Sequence, residues 1–139
     1  VEALKLTLQV ANGNGARVGF LVLLKTFQRL GYFAPLAGMP ERLVAHITKS
    51  IRLQRMPELS GYDDSGTRRR HVVIIRKFLH VKPFDEAARR ALLDACKEAA
   101  LTKQDLADII NIGIEELLRL RFELPGFTSL HRTAPKRSY

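Results

Sequence analysis

Arg68-Arg69-Arg70-His71 heads a segment whose other charged or titratable residues are Arg76, Lys77 and His80. At about 100° per residue on a helix, Val72, Ile75 and Leu79 share one side. Arg69, Arg76 and His80 cluster on the other around Val73, with Arg70 and Lys77 beside them. One face suits a core and the other a polyanion. Clustered Lys/Arg release counterions from phosphates, and side chains on a groove-inserted helix read base edges. By this geometry Arg69, Arg70, Arg76 and Lys77 are the leading contacts. Arg68 lies nearer the core side, where it would snorkel or pair within the molecule. His71 leans the same way, with a structural hydrogen bond and a ligand contact equally open to it.

Other chemistry-bearing residues form no site. Asp63-Asp64 reads as a turn and helix-start feature rather than a cation site. His71 and His80 do not have a zinc-ligand spacing, and the single cysteine, Cys96, supports neither a disulfide nor a cysteine-rich metal site. Cys96 falls on an apolar helical side and is expected to be a buried thiol. His131, Arg132 and Tyr139 share residue types with a tyrosine recombinase but lie in a short tail without its surrounding motifs. Asn12-Gly13-Asn14-Gly15 is not followed by the Gly-Lys-Ser/Thr of a phosphate loop. Tyr32 and Phe33 are read as core packing before base stacking. No catalytic residue, metal or cofactor is assigned, and the chain is not expected to be an enzyme.

Charge is unevenly spread along the 139 residues, whose formal total is +9. Residues 42–82 hold ten Lys/Arg against Glu58, Asp63 and Asp64, whereas residues 83–124 hold six against nine acids. The first pattern suggests a binding surface and the second a support. A hydrophobic content of 46% is enough for a core. The longest apolar run, Val18 to Leu24, contains Gly19 and is far too short for a bilayer. There is no signal-peptide pattern, and a chain beginning with Val is expected to be trimmed or part of something longer.

The elements that must position these residues read as all-α: about six helices in two small helix-turn-helix-like modules, residues 1–82 and 83–139. Residues 3–10 alternate weakly and leave strand and helix open; the Asn-Gly-Asn-Gly run is a turn. A helix over 16–30 buries Val18, Leu21, Leu24 and Phe27, with Gly31 as its C′ residue and Pro35 beyond it. Pro40 suits a first helical position, leading a helix with Leu43, Val44, Ile47 and Ile51 as its stripe. Met56 to Tyr62 reads as a short helical turn, followed by a loop and the basic helix from about Gly66 to His80. Beyond Pro83, Asp85 and Glu86 open a helix with Phe84, Ala88, Ala91, Leu92, Ala95, Cys96 and Ala99 inward. Thr102 and Asp105 have capping-box spacing for the next, whose buried face is Leu106, Ile109, Ile110, Gly113 and Leu117. Pro125-Gly126 stops it, and Thr128 or Ser129 would cap another helix.

One ordered set of motifs is more specific. The run from Gly19 to Phe33, GFLVLLKTFQRLGYF, is followed by Tyr62-Asp63, Arg68, Arg70-His71, Ile75-Arg76 and Pro83-Phe84. Then come Ile114-Glu115-Glu116-Leu117, Arg121, Leu124-Pro125, Ser129-Leu130 and Arg132. This series resembles the N-terminal region of Tn3-family bacterial transposases and covers nearly the whole chain. In that family the region recognises the transposon's terminal inverted repeats, and a metal-dependent DDE catalytic domain lies far downstream; nothing here corresponds to it. The resemblance implies sequence-specific binding of double-stranded inverted-repeat DNA in a bacterial cytoplasm, alongside the rest of the transposase chain. It leaves room for a homodimer of the full-length protein and implies no membrane. It favours Arg68, Arg70, His71 and Arg76 in the first module and Ser129 and Arg132 in the second. Lys25, Arg29, Lys49 and Arg52 are weaker phosphate contacts. The family pattern continues past Leu130-His131-Arg132 into a longer helix, which Ala134-Pro135 interrupts here, so the second module is expected to be truncated at its C-terminal end. The alternative is a helical assembly module for transposase subunits or a host partner, favoured by the acidic half. A metal-dependent nuclease ranks third.

Overall fold

A computed structural model describes residues 2–126. These residues form six α-helices and no strand or sheet, so the chain is all-α as expected. The helices are α1 (Glu2–Val10), α2 (Asn14–Leu30), α3 (Glu41–Ser50), α4 (Gly66–Leu79), α5 (Glu86–Ala99) and α6 (Leu106–Arg119), with a 3-10 turn at Leu36–Gly38. The chain divides into two compact units, residues 1–77 and 78–139.

In the first unit α2 is the central element. Nine of its residues are buried, running without a break from Val18 to Leu24 and then Thr26 and Phe27. The expected stripe is therefore correct but too narrow, because Phe20, Val22 and Leu23 are also fully enclosed. The inward Thr26 hydroxyl is satisfied by donating to the Val22 carbonyl at 2.7 Å. At the C-terminal end, Gly31 adopts φ 81° and its N–H donates to the Phe27 carbonyl at 2.7 Å, the left-handed cap read from the sequence. α1 and α3 both pack on α2.

The ambiguous N-terminal segment is helical. The alternating leucines hide why: α1 turns Thr7 and the following Ala11 inward and leaves Leu4 and Leu8 exposed. Small residues let the helix lie close to α2, while Arg17 closes its C-terminal end by donating from Nε to the Ala11 carbonyl at 3.2 Å. In α3, Pro40 sits one residue earlier than expected, as the N-cap, and Val44, Ile47 and Thr48 are the buried positions.

The segment Met56–Tyr62 is not a helical turn. It runs as irregular chain into a β-turn closed by the Tyr62 N–H on the Leu59 carbonyl at 3.1 Å. Local bonding diverts the backbone: Glu58 accepts from the Ser60 N–H at 2.9 Å, and Gly61 takes φ 83°, outside the helical region.

The described part of the second unit is built on α5 and α6. Asp85 caps α5 by accepting from the Ala88 N–H at 3.0 Å, and Ala88, Leu92, Cys96 and Ala99 are buried. Asp105 alone caps α6, accepting from the Ala107 N–H at 2.9 Å. Thr102 does not join it in a capping box; its hydroxyl lies at the end of α5, donating to the Ala99 carbonyl at 3.5 Å. Gly113 brings the helices together: a methyl group there would stand 2.5 Å from Leu92 Cδ1 and 2.8 Å from Cys96 Sγ. Lys82 and Phe122 form an isolated bridge, with Lys82 N–H donating to Arg121 and Glu123 N–H donating to Lys82 at 2.9 and 2.8 Å.

Candidate nucleic-acid interface

The basic helix is fixed at its N-terminus by the loop that precedes it. Ser65 Oγ accepts the Arg68 N–H at 3.1 Å, satisfying one of the first-turn donors that a helix leaves open. Asp63 acts as a clamp. Its two carboxylate oxygens accept the N–H groups of Leu36 and Ala37 at 2.7 and 3.1 Å, tying the 3-10 turn to this loop. Arg68 completes the clamp, with Nη2 donating to the Phe33 carbonyl at 3.2 Å and Nε 3.8 Å from Asp63. The inward lean read from the wheel is thus an intramolecular pair. The expectation that Asp63-Asp64 marks a turn before a helix also holds for Asp63.

His71 is enclosed, at 3% exposure. Its Nδ1 lies 2.7 Å from the Tyr62 hydroxyl, and its ring meets Phe20 edge-on with centroids 5.0 Å apart. Burial, reinforced by the neighbouring Arg70 charge, lowers the imidazole pKa from 6.5 to about 4. Burial also drives the Tyr62 hydroxyl above its ordinary range. Both groups are neutral at pH 7, so a single hydrogen bond joins them, its direction set by which ring nitrogen of His71 carries the proton. The Tyr62 ring in turn rests on α2 where Gly19 leaves room; a Cβ at Gly19 would be 2.5 Å from it. His71 is a structural hydrogen bonder in this arrangement, out of reach of a large ligand.

What remains outward on α4 is a compact set. Arg69, Arg70, Val73 and Lys77 are exposed, and Arg76 is half-buried. Arg70 Nη2 donates to the Thr67 hydroxyl at 3.0 Å, which directs its guanidinium along the first turn. The Arg76 guanidinium lies 5.6 Å from the centre of the Phe33 ring, a cation–π contact. Phe33 itself stacks on Phe27 at 4.3 Å, so it is core packing and not a free stacking platform. The exposed Val73 among these cations offers the apolar contact that a thymine methyl accepts.

The weaker candidates Lys25, Arg29, Lys49 and Arg52 are all exposed. Lys25 and Arg29 come together with Leu30, Met39, Pro40 and Leu43 around an open groove of about 520 Å³ between α2 and α3. On α3, Arg42 and His46 are exposed with Lys49 at positions i, i+4 and i+7, a stripe that sequence reasoning passed over although its spacing is readable. Ser129 and Arg132 lie outside the described residues. Among the described residues no group of three or more His, Cys, Asp or Glu could hold a metal ion, and no helix is long and apolar enough to cross a membrane.

Residues 2–136 match a family described as a domain of unknown function, DUF4158. The chain belongs to that family. Its span takes in both units, the Asp63 clamp and the exposed face of α4, so the DUF4158 domain is the whole arrangement described above rather than one helix pair. No curated protein and no solved structure matches the chain.

Proposed function

We propose that this DUF4158 domain binds double-stranded DNA, recognising transposon ends as the N-terminal region of a Tn3-like transposase. DUF4158 is found in Tn3-family transposases, which agrees with the ordered motifs from Gly19 to Arg132. The observation that carries the binding role is the outward face of α4. Its cations are held on a helix whose opposite face is locked by His71, Val72 and Ile75, within a unit of thirteen Lys/Arg and five acids. Phosphate contacts from this face would set register, with Val73 and its neighbours against base edges. Strand chemistry belongs to another part of the transposase, and this chain is assigned none.

Arg69→Ala, Arg70→Ala and Lys77→Ala combined test the proposal, because all three side chains are exposed and their loss leaves the core intact. Affinity for the inverted repeats flanking the encoding gene should fall by more than about a hundredfold, each lost phosphate contact flattening the log K against log[salt] slope by about one. Unchanged affinity at near-physiological salt sinks the proposal. A second reading, a helical assembly module, is favoured by one observation: the outward face of α6 carries Asp108, Glu115 and an exposed Leu118.

A further inference from the structure

Two surfaces, one in each unit, carry complementary features. The groove between α2 and α3 is lined by Leu30, Met39, Pro40 and Leu43, with Lys25 and Arg29 on its α2 wall. Leu30 is 40% exposed at this site. On α6, Asp108, Asn111, Glu115 and Leu118 follow one another at intervals of three and four residues and are all exposed, so they form one ridge. Leu118 is 54% exposed. Among the described residues, neither Lys25 nor Arg29 has a carboxylate within 4.0 Å, and neither Asp108 nor Glu115 has a cation within that distance. Each surface therefore pairs an exposed leucine with charge that meets no opposite partner among the described residues, and the signs are opposite.

We infer that the α2–α3 groove receives the α6 ridge of a second copy of this chain. Leu118 enters the groove against Leu30, Met39 and Leu43, which removes apolar surface from water on both copies. Glu115, one turn away, and Asp108, two turns further, face Lys25 and Arg29 at the rim, where opposite charge fixes register more than it adds affinity. Groove and ridge are different patches, so reciprocal engagement closes a dimer with two such contacts and one-way engagement propagates. The contact is small, and the association is weak and concentration-dependent. The inference builds on the assembly reading and takes Lys25 and Arg29 away from DNA, independently of the α4 face.

Sedimentation velocity on the whole chain, from low to several hundred micromolar, provides the test. The wild type should shift from monomer towards larger species as concentration rises. Leu118→Asp, and separately the milder Leu118→Ser and Leu30→Ser, should weaken association about tenfold; all are at exposed positions, and circular dichroism checks the helices. The Lys25→Glu/Arg29→Glu and Asp108→Lys/Glu115→Lys chains should each be monomeric alone and associate when mixed, because every groove then meets a ridge of opposite sign. A wild type that stays monomeric, variants that associate unchanged, or a mixture that does not recover overturns the inference. So does loss of DNA binding in Lys25→Glu/Arg29→Glu with self-association intact, which returns both cations to phosphates. DNA binding measured on monomeric Leu118→Asp separates the two proposals: failure of association with DNA affinity kept leaves the α4 reading standing.

Discussion

A histidine held neutral inside a basic helix makes the first unit sensitive to acid. His71 has its pKa lowered from 6.5 to about 4, so the folded state favours the uncharged ring more than the unfolded chain does. Its stabilising contribution is complete above pH 6.5 and is lost as pH falls from 6.5 through about 4. The loss reaches an order of 3 kcal/mol by acid pH. Urea denaturation between pH 7.5 and 4 should show this decline for the wild type and a clearly flatter profile for His71→Gln, whose stability at pH 7.5 is lower. Equal slopes would mean that His71 takes up its proton alike in the folded and the unfolded chain, so that burial does not depress its pKa. Tyr62→Phe leaves the buried Nδ1 without its hydrogen-bond partner and should cost about 1–2 kcal/mol at pH 7.5 in the same measurement. Much of this was readable in the chain: the helical wheel already turned Arg68 and His71 away from the exposed cations. The partners were not. Tyr62 lies nine residues away and Phe20 on another helix, and periodicity along one segment carries no information about what packs against it.

At the level of the helices, two glycines set how closely elements approach. A Cβ at Gly113 meets Leu92 and Cys96 in the buried seam of α5 and α6, and one at Gly19 meets the Tyr62 ring. Gly113→Ala should destabilise the second unit by about 1–3 kcal/mol, since an added methyl in a packed seam forces its neighbours off their positions. Thermal unfolding checks it, and a stabilised variant would show that the seam has slack. The clamp of Asp63 supports a separate expectation: Asp63→Ala leaves the Leu36 and Ala37 amides without their acceptor and removes the carboxylate 3.8 Å from Arg68 Nε, which keeps its bond to the Phe33 carbonyl through Nη2. It should lower stability by about 2–3 kcal/mol, while Asp64→Ala, whose side chain is exposed, should have little effect. Helix centres were legible because burial follows the 3.6-residue period, and Gly31 and Pro35 marked the end of α2. The misreadings arose where side chains compete with that period. Leucines at every second position in α1 suggested alternation, although Thr7 and Ala11 face inward. Glu58 and Gly61 spoiled the turn expected over 56–62, and Asp105 displaced Thr102 as the cap of α6.

For the molecule as a whole, charge is partitioned between the units. The first holds thirteen Lys/Arg against Glu2, Glu41, Glu58, Asp63 and Asp64; residues 78–126 hold seven against nine acids. A polyanion should therefore be drawn to the first unit, and raising salt should weaken DNA binding steeply. Self-association through groove and ridge, half apolar, should weaken far less over the same range. Measuring both equilibria between low and near-physiological salt checks this, and matching salt slopes would contradict it. The division into a basic and an acidic part was visible from residue counts alone. The groove between α2 and α3 was not, because Lys25, Arg29, Met39 and Leu43 come from two helices joined by a loop of no regular pattern.

Cys96 gives the second unit a built-in clock. It is the only thiol in the chain, fully enclosed beside Gly113, with its Sγ–H directed at the Ile109 carbonyl 3.7 Å away and its pKa raised by burial. A thiol reagent can reach it only when α5 and α6 part, so its labelling rate counts those openings one molecule at a time. Gly113→Ala, by loosening the seam, should speed that reaction. A rate equal to that of an unfolded cysteine peptide would mean that the seam does not close in solution.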